Sequence, residues 1–232
     1  MKKGIMTAGV LVIMACAVTA YCWAAGHGNS SKETIMETVS KQQMKSVADA
    51  GNGKSLVVYF SVPETDGVDA SSGASRVLSG GKIMGNTQYV AAIISEATGG
   101  ALFEIKTVHT YPGSHKALID AAKVEIENNA RPKLATHIEN LKDYDVVFVG
   151  FPNWWYDMPM PLYSFFDEYD FSGKTVIPFC THGGSRFSDA IKTIRELEPR
   201  ATVLDGYSIA RDRVSESKDG VLKWLEKIGM KK

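Results

Sequence analysis

Short apolar runs alternate with amphipathic segments along most of this chain. Three runs are almost wholly apolar, at residues 56–60, 145–151 and 175–180, and two weaker runs cover residues 101–105 and 201–204. Strands buried on both faces have this composition, and such strands pair in parallel. Helical patterns separate the runs. They cover residues 86–97, 115–129, 161–169, 188–197 and 215–228.

Strand and helix therefore alternate five times along the chain. This alternation predicts an α/β fold, a doubly wound parallel sheet with helices on both faces. Pro178 interrupts the fourth apolar run. Because proline has no backbone N–H to donate to a neighbouring strand, Pro178 predicts a bulge or an edge-like position near that point.

The first 25 residues differ from the rest of the chain. Lys2-Lys3 precedes an uncharged run over residues 4–25, a pattern typical of an export signal. Ile13-Met14-Ala15-Cys16 resembles a bacterial lipobox, which would place a lipid on Cys16, and we favour this lipoprotein outcome. Cleavage near Ala24-Ala25 would instead release a periplasmic or secreted protein, and the run is also long enough to span a bilayer uncut. Each outcome places the folded domain outside the cytoplasm.

The composition favours one domain at residues 55–232 behind a polar linker at residues 26–54. A hydrophobic fraction of 44% is enough for a full core, and 26 basic residues balance 26 acidic ones. Balanced charge gives no reason to expect nucleic-acid binding, and membrane contact is expected through the N-terminus alone. Cys180 is the one cysteine of the domain, so we expect a small buried side chain there and no disulfide.

Ligands of doubly wound sheets bind beyond the carboxyl ends of the strands. Here the first strand is followed by Ser61, by an inserted loop at residues 62–84 (the insertion), and by Gly85-Asn86-Thr87 (the phosphate turn), which opens a helix. A helix N-terminus exposes unpaired amides at a positive dipole end, which suits a phosphate. Ordinary capping by Asn86 or Thr87 is the alternative explanation.

Two further loops follow the third and fourth strands. Residues 152–160 (the aromatic loop) hold adjacent tryptophans, whose flat faces stack on planar rings or, alternatively, pack on neighbouring helices. Residues 181–187 (the glycine-rich loop) include paired glycines, which let a ligand approach the backbone or simply form a turn. Together with the phosphate turn they suit a phosphate joined by a polyol to a planar heterocycle, as in flavin mononucleotide (FMN). The candidate residues of these two loops are Pro152, Asn153, Trp154, Trp155, Thr181, His182, Gly183, Gly184 and Ser185.

These motifs resemble those of flavodoxins, and in particular of a bacterial flavodoxin-like group. The resemblance covers residue 55 to the C-terminus and implies a five-stranded parallel sheet of order 2-1-3-4-5 that binds FMN noncovalently. The motifs that carry it are Tyr59-Phe60-Ser61, the Gly-Asn-Thr phosphate turn, Pro152-Asn153-Trp154-Trp155 and Pro178-Phe179-Cys180-Thr181-His182-Gly183-Gly184-Ser185.

The resemblance also implies roles for the matching residues. Ser61 and the phosphate turn, Gly85, Asn86 and Thr87, would bind the phosphate. Residues 152–155 would hold one side of the isoalloxazine, and residues 181–185 would hold its other edge. The insertion departs from the family pattern, so either Ser61 still reaches the phosphate or residues near Lys82 replace it.

An exported FMN protein of this kind is expected to carry electrons, with a redox protein or a small quinone as its partner and a homodimer as one assembly to consider. A cation at His182 or Arg186 would raise the reduction potential of the flavin. The remaining domain histidines, His109, His115 and His137, are expected at the surface, and no metal site is predicted.

Two alternative functions remain open from the sequence. The first is an FMN-dependent NAD(P)H:quinone or flavin reductase, for which no separate dinucleotide motif is visible. The second is a serine hydrolase that uses Ser185, because Gly183-Gly184-Ser185 follows a strand as a nucleophile elbow does. Phe187 stands where that motif requires glycine.

Overall fold

The computed structural model of the protein describes residues 53–65 and 75–232. The predicted export signal at residues 1–25 lies outside the described residues, as do nearly all of the predicted linker and residues 66–74 of the insertion. Within the described ranges, none of the helices combines the length and the apolar character needed to cross a bilayer.

A parallel sheet forms the centre of the described domain. Its strands are β1 (Ser55–Tyr59), β4 (Ala101–Glu104), β5 (Val146–Pro152), β6 (Thr175–His182), β7 (Thr202–Val203) and β8 (Tyr207–Ala210). Their order is β4-β1-β5-β6-β7, and β8 continues the line of β7 by pairing with β6. All of these pairings are parallel, so the predicted doubly wound sheet of order 2-1-3-4-5 is confirmed, with its fifth strand in two pieces.

Helices cover both faces of the sheet. They are α1 (Asn86–Thr98), α2 (His115–Glu127), α3 (Met160–Glu168), α4 (Ala190–Leu197) and α5 (Lys218–Lys227), with short 3-10 turns at Leu141–Asp143 and Arg211–Glu216.

Successive side chains of each central strand point to opposite faces of the sheet. Val58 therefore packs in the layer of α2, α3 and α4, around Phe165, whereas Val57 packs in the layer of α1 and α5, beside Val90 and Leu225. Both faces are buried, which explains why the strands are apolar throughout. Cys180 is fully buried among them, as expected.

The bulge or edge-like position predicted near Pro178 corresponds to a break in the neighbouring fifth strand. Leu204 donates its N–H to the carbonyl of Val176 at 3.0 Å, which shows that the backbone polar groups of Val176 point toward the fifth strand. Pro178 lies two residues further along β6, so its backbone nitrogen points toward the same strand. The fifth strand is interrupted there between β7 and β8. Gly206 lies in the gap with a φ of 70°, and a Cβ on it would stand 2.1 Å from the Pro178 carbonyl oxygen. The missing N–H of Pro178 therefore falls where the ladder is already broken.

The second half of the insertion forms regular secondary structure. It contains an antiparallel hairpin of β2 (Arg76–Ser79) and β3 (Lys82–Gly85). Gly80 and Gly81 form the turn with φ values of 56° and 76°, the left-handed conformation that tight hairpins require. The prediction of a simple loop over residues 62–84 is therefore wrong for its second half. A Gly-Gly pair between short apolar runs is itself a hairpin signal.

Gly150 of β5 supports a prediction about packing. Its register partner is Phe179, and a Cβ on Gly150 would stand 2.1–2.7 Å from three atoms of that buried ring. Gly150→Ala should lower the free energy of unfolding by about 1–3 kcal/mol through overpacking, as measured by urea denaturation. In the double variant Gly150→Ala/Phe179→Leu, the smaller leucine side chain leaves room for the alanine Cβ. The loss in free energy of unfolding should therefore be smaller than the sum of the losses in the two single variants. Strict additivity would contradict the assigned clash.

Candidate functional site

The phosphate turn, the aromatic loop and the glycine-rich loop meet at the carboxyl edge of the sheet. They line one cleft of about 740 Å³, within the size range of small-molecule sites. A small recess continues from it between Ser61, Thr87 and Trp154. The predicted residues that line the cleft itself are Asn86, Pro152, Asn153, Trp154, Trp155, Thr181, His182, Gly183, Gly184 and Ser185.

Ser61 lies directly against the phosphate turn. A Cβ on Gly85 would stand 2.1 Å from the Ser61 hydroxyl oxygen, so the glycine leaves the space that this hydroxyl fills. Gly85 is the N-cap of α1, and the Gln88 side chain accepts the Gly85 N–H at 3.2 Å, so the cap comes from Gln88 and differs from the expected capping by Asn86 or Thr87. Lys82 lies exposed in the hairpin. Ser61 is therefore placed at the helix start, as the first of the two predicted arrangements requires, and Ser75 of the insertion lines the same recess.

A buried hydrogen bond joins the phosphate turn to the glycine-rich loop. The hydroxyls of Thr87 and Thr181 lie 2.9 Å apart, and both residues are buried. Thr87 belongs to α1 and Thr181 to β6, so the contact fixes two walls of the cleft relative to each other.

The two tryptophans of the aromatic loop have different surroundings. Trp154 packs edge-on against Phe60 and Tyr111, with ring centroids 5.5 Å away in each case. Trp155 is 47% exposed at the rim, and its indole N–H donates to the Ile119 carbonyl at 3.0 Å. Trp154 is thus fixed by packing and presents its remaining surface to the cleft, while Trp155 leaves part of its ring open to a ligand.

The aromatic loop turns through two left-handed residues in succession. Trp155 has a φ of 53° and Tyr156 a φ of 70°, conformations that cost about 1–2 kcal/mol for residues with a Cβ. Asn153 supports the turn, because its Oδ1 accepts the Tyr156 N–H at 3.2 Å and its Nδ2 donates to the Arg186 carbonyl at 2.9 Å. Tyr156 also lines the cleft and is 67% exposed, and the sequence did not identify it.

His182 of the glycine-rich loop is a neutral hydrogen-bonding group. Burial lowers the pKa of its imidazole, Arg186 lowers it further, and Asp212 opposes the effect. Nδ1 accepts the Gly184 N–H at 2.9 Å, so the neutral ring carries its proton on Nε2. The prediction of a cation at His182 is therefore wrong, since the ring is uncharged at neutral pH.

This orientation of His182 also argues against the hydrolase alternative. In a catalytic triad the histidine Nδ1–H donates to a carboxylate. Here Nδ1 accepts a hydrogen bond from the backbone of the loop that carries Ser185.

The arginine at the cleft differs from the one that the sequence indicated. Arg186 lines a neighbouring groove with Asp205 and Tyr207. Arg211 lines the cleft, and its Cζ stands 3.6 Å from where a Cβ on Gly183 would be. Arg211 begins the turn after β8 and belongs to no motif, so no sequence pattern indicates it.

Glu64 and His115 also line the cleft. Glu64 belongs to the insertion and His115 begins α2, and the carboxylate oxygen Oε1 lies 2.6 Å from the imidazole Nδ1. The His115 side chain is 44% exposed, as expected of a surface histidine, but it also contacts Glu64 at the edge of the cleft, which the sequence did not predict.

Comparisons with known protein families and solved structures identify the family of this chain. A family model described as flavodoxin matches residues 79–228. The chain belongs to the flavodoxin family. No curated protein matches the chain.

Solved structures of flavoproteins resemble this flavodoxin-family chain over most of its length. A protein of Bacteroides eggerthii classed as a flavoprotein is 27% identical with a TM-score of 0.59, over 78% of this chain and 100% of that one. A similar protein of Bacteroides uniformis is 29% identical with a TM-score of 0.59, over 75% and 98%. A flavoprotein of Lactobacillus acidophilus in complex with FMN has the same fold at 20% identity and a TM-score of 0.50, over 72% and 99%.

The lowered pKa of His182 predicts a pH dependence of stability. As the pH falls through 6.5, the ordinary value, the unfolded chain binds a proton at this residue before the folded protein does. The free energy of unfolding should therefore fall between pH 7 and about pH 5, and His182→Gln should show a shallower fall. Chemical denaturation across this pH range measures both slopes, and identical slopes would contradict the assigned pKa direction.

Proposed function

We propose that the protein binds FMN and carries electrons outside the cytoplasm. The observation that carries the proposal is the meeting of three loops at one cleft of a flavodoxin-family chain. One loop suits a phosphate, one presents aromatic rings, and one presents a glycine-rich backbone. The solved complex of the Lactobacillus acidophilus flavoprotein, which has the same fold, contains FMN.

The phosphate end of FMN fits the start of α1. The helix offers the positive end of its dipole, and Ser61 and Thr87 add hydroxyl groups at the same recess. The Gly85 and Asn86 N–H groups donate to Gln88 and to the Ser75 carbonyl, so the two hydroxyls are the donors assigned to the phosphate. A side chain at position 85 would fill the place where Ser61 now lies. This cradle therefore has the donors and the close backbone approach that a phosphate requires.

The ring end of FMN fits between the aromatic and glycine-rich loops. Trp155 and Tyr156 leave exposed aromatic surface on one side, and Gly183 and Gly184 leave the opposite backbone open to close approach. The neutral His182 holds a proton on Nε2 and adds a donor to this edge. When bound, FMN would supply one- and two-electron redox chemistry, and the loops would orient the ring and limit its contact with water.

The sequence of the first 25 residues supports the export part of the proposal. Its basic start, uncharged run and lipobox-like Cys16 favour a lipoprotein, with cleavage near Ala24-Ala25 as the alternative. A redox protein or a small quinone outside the cytoplasm would then exchange electrons with the cleft. Radiolabelled palmitate incorporation into the full-length protein, lost in Cys16→Ser, tests the lipoprotein route.

The cofactor is tested directly on the purified full-length protein. A bound flavin should give a yellow protein whose visible spectrum bleaches on anaerobic reduction, and heat-released cofactor should match FMN by chromatography. If the protein is colourless and added FMN keeps its full fluorescence when titrated with it, the proposed function is wrong.

Ser61→Ala should weaken FMN binding through the phosphate alone. Loss of one hydrogen bond to a charged group costs about 1.5–3 kcal/mol, so the dissociation constant should rise by roughly 10- to 100-fold. Riboflavin, which lacks the phosphate, should bind both proteins equally when flavin fluorescence quenching is measured. Ser172→Ala, at an exposed turn beside Asp170, is the matched control and should bind FMN normally. Equal weakening for riboflavin would contradict the assignment of Ser61 to the phosphate.

A further inference from the structure

The cleft extends beyond the residues assigned to the flavin and onto helix α2. His115 begins this helix, and Leu118, Ile119 and Ala122 line the cleft after it. These residues follow His115 by three, four and seven positions, so they share one face of the helix with it. A titratable ring therefore lies at one end of an apolar wall inside the cleft.

Glu64 holds His115 from the insertion. Its side chain is 2% exposed, and Oε1 lies 2.6 Å from His115 Nδ1. The Ser75 hydroxyl donates to the same oxygen at 3.3 Å, and Arg76 Nη1 donates to the Glu64 carbonyl at 2.8 Å. Thr65, the next residue, donates its N–H to the Gly113 carbonyl at 2.7 Å, which ties this segment to the start of α2. The pair is thus held by contacts on both of its elements.

Burial of a carboxylate in a cleft is costly unless a partner compensates for it. A structural ion pair does not need that burial, as a second pair in this protein shows. His137 Nδ1 and Glu168 Oε1 also lie 2.6 Å apart, but Glu168 is 34% exposed, and within the described residues this pair lies outside the cleft. This difference in burial indicates that the Glu64–His115 pair acts on a ligand in the cleft.

The chemistry of the pair fits proton transfer. The Glu64 carboxylate accepts a hydrogen bond from Nδ1–H of His115, and this hydrogen bond fixes the orientation of the imidazole. The ring is 44% exposed, so it can regain a proton from water. A protein that only passes single electrons to a partner protein needs no such acid. A planar, apolar acceptor with carbonyl oxygens needs one when it takes up two electrons.

We propose that His115, positioned by Glu64, is a catalytic acid that protonates a quinone bound against α2. This inference rests on the proposed binding of FMN. Two-electron reduction of a quinone to a hydroquinone requires a hydride equivalent and one proton. Bound, reduced FMN would supply the hydride equivalent. The proton passes from Nε2 of the doubly protonated His115 ring to a quinone oxygen, Nδ1–H stays hydrogen-bonded to Glu64, and water returns a proton to Nε2.

The experiment compares two oxidants of the photoreduced, FMN-loaded, full-length protein in a stopped-flow spectrometer. A water-soluble benzoquinone takes two electrons and two protons in all, whereas ferricyanide takes one electron and no proton. His115→Ala and His115→Gln should react with the quinone about 100-fold more slowly, and Glu64→Gln about 10-fold more slowly. All three should react with ferricyanide at the wild-type rate. His137→Ala is the matched control and should keep both rates.

Two further readouts are independent of turnover. Fluorescence titration should give all variants the wild-type affinity for FMN, which shows that the cleft is intact. In ¹⁵N NMR spectra of the oxidised protein, the neutral form of His115 should carry its proton on Nδ1, and Glu64→Gln should change that signal.

The outcomes separate this inference from the proposed function. Equal slowing with both oxidants, or wild-type quinone rates in both His115 variants, would overturn the catalytic role while FMN binding stands. An Nε2-protonated neutral ring in the wild-type protein would overturn the positioning role of Glu64. Failure of the wild-type protein to bind FMN would overturn the proposed function and this inference with it.

Discussion

The register of the three central strands determines where the cleft forms. Tyr59 of β1 pairs with Gly150 of β5, which pairs with Phe179 of β6, so β5 and β6 run two and three residues beyond the end of β1. Because parallel strands share a direction, the residues that follow them must emerge at one edge of the sheet. Asn153 still donates its N–H to the Thr181 carbonyl at 2.8 Å, so the aromatic and glycine-rich loops leave the sheet as hydrogen-bonded neighbours. The cleft exists because the register brings these loops together.

The charges around the cleft suit a phosphorylated ligand without making the cleft strongly basic. The start of α1 provides a partial positive charge, and Arg211 adds a full one. His182 is neutral because burial disfavours its charged form. Glu64 adds a buried negative charge, and His115 is held against it. The electrostatics of the site therefore depend on residues from the insertion and from the turn after β8 as much as on the family motifs.

Sequence patterns predict the parts of this fold that depend on local chemistry. Apolar runs such as residues 145–151 identify strands buried on both faces, and the loops after them identify the edge where the cleft forms. The edge strand β8 was missed, because Tyr207-Ser208-Ile209-Ala210 is partly exposed and mixes polar with apolar residues. The contact between Glu64 and His115 was also missed, because it joins residues 51 positions apart and no spacing rule encodes it.

Left-handed residues lie in or directly beside the two loops proposed to hold the flavin ring. Trp155 and Tyr156 are left-handed in the aromatic loop, Arg186 is left-handed near the end of the glycine-rich loop, and Ser188 is left-handed just after it. Such conformations persist where surrounding contacts over-determine them. Asn153 provides those contacts for both turns, since its side chain accepts the Tyr156 N–H and donates to the Arg186 carbonyl. The two loops therefore hold each other in a shape that a planar ring would otherwise have to impose, and this reduces the ordering cost of binding.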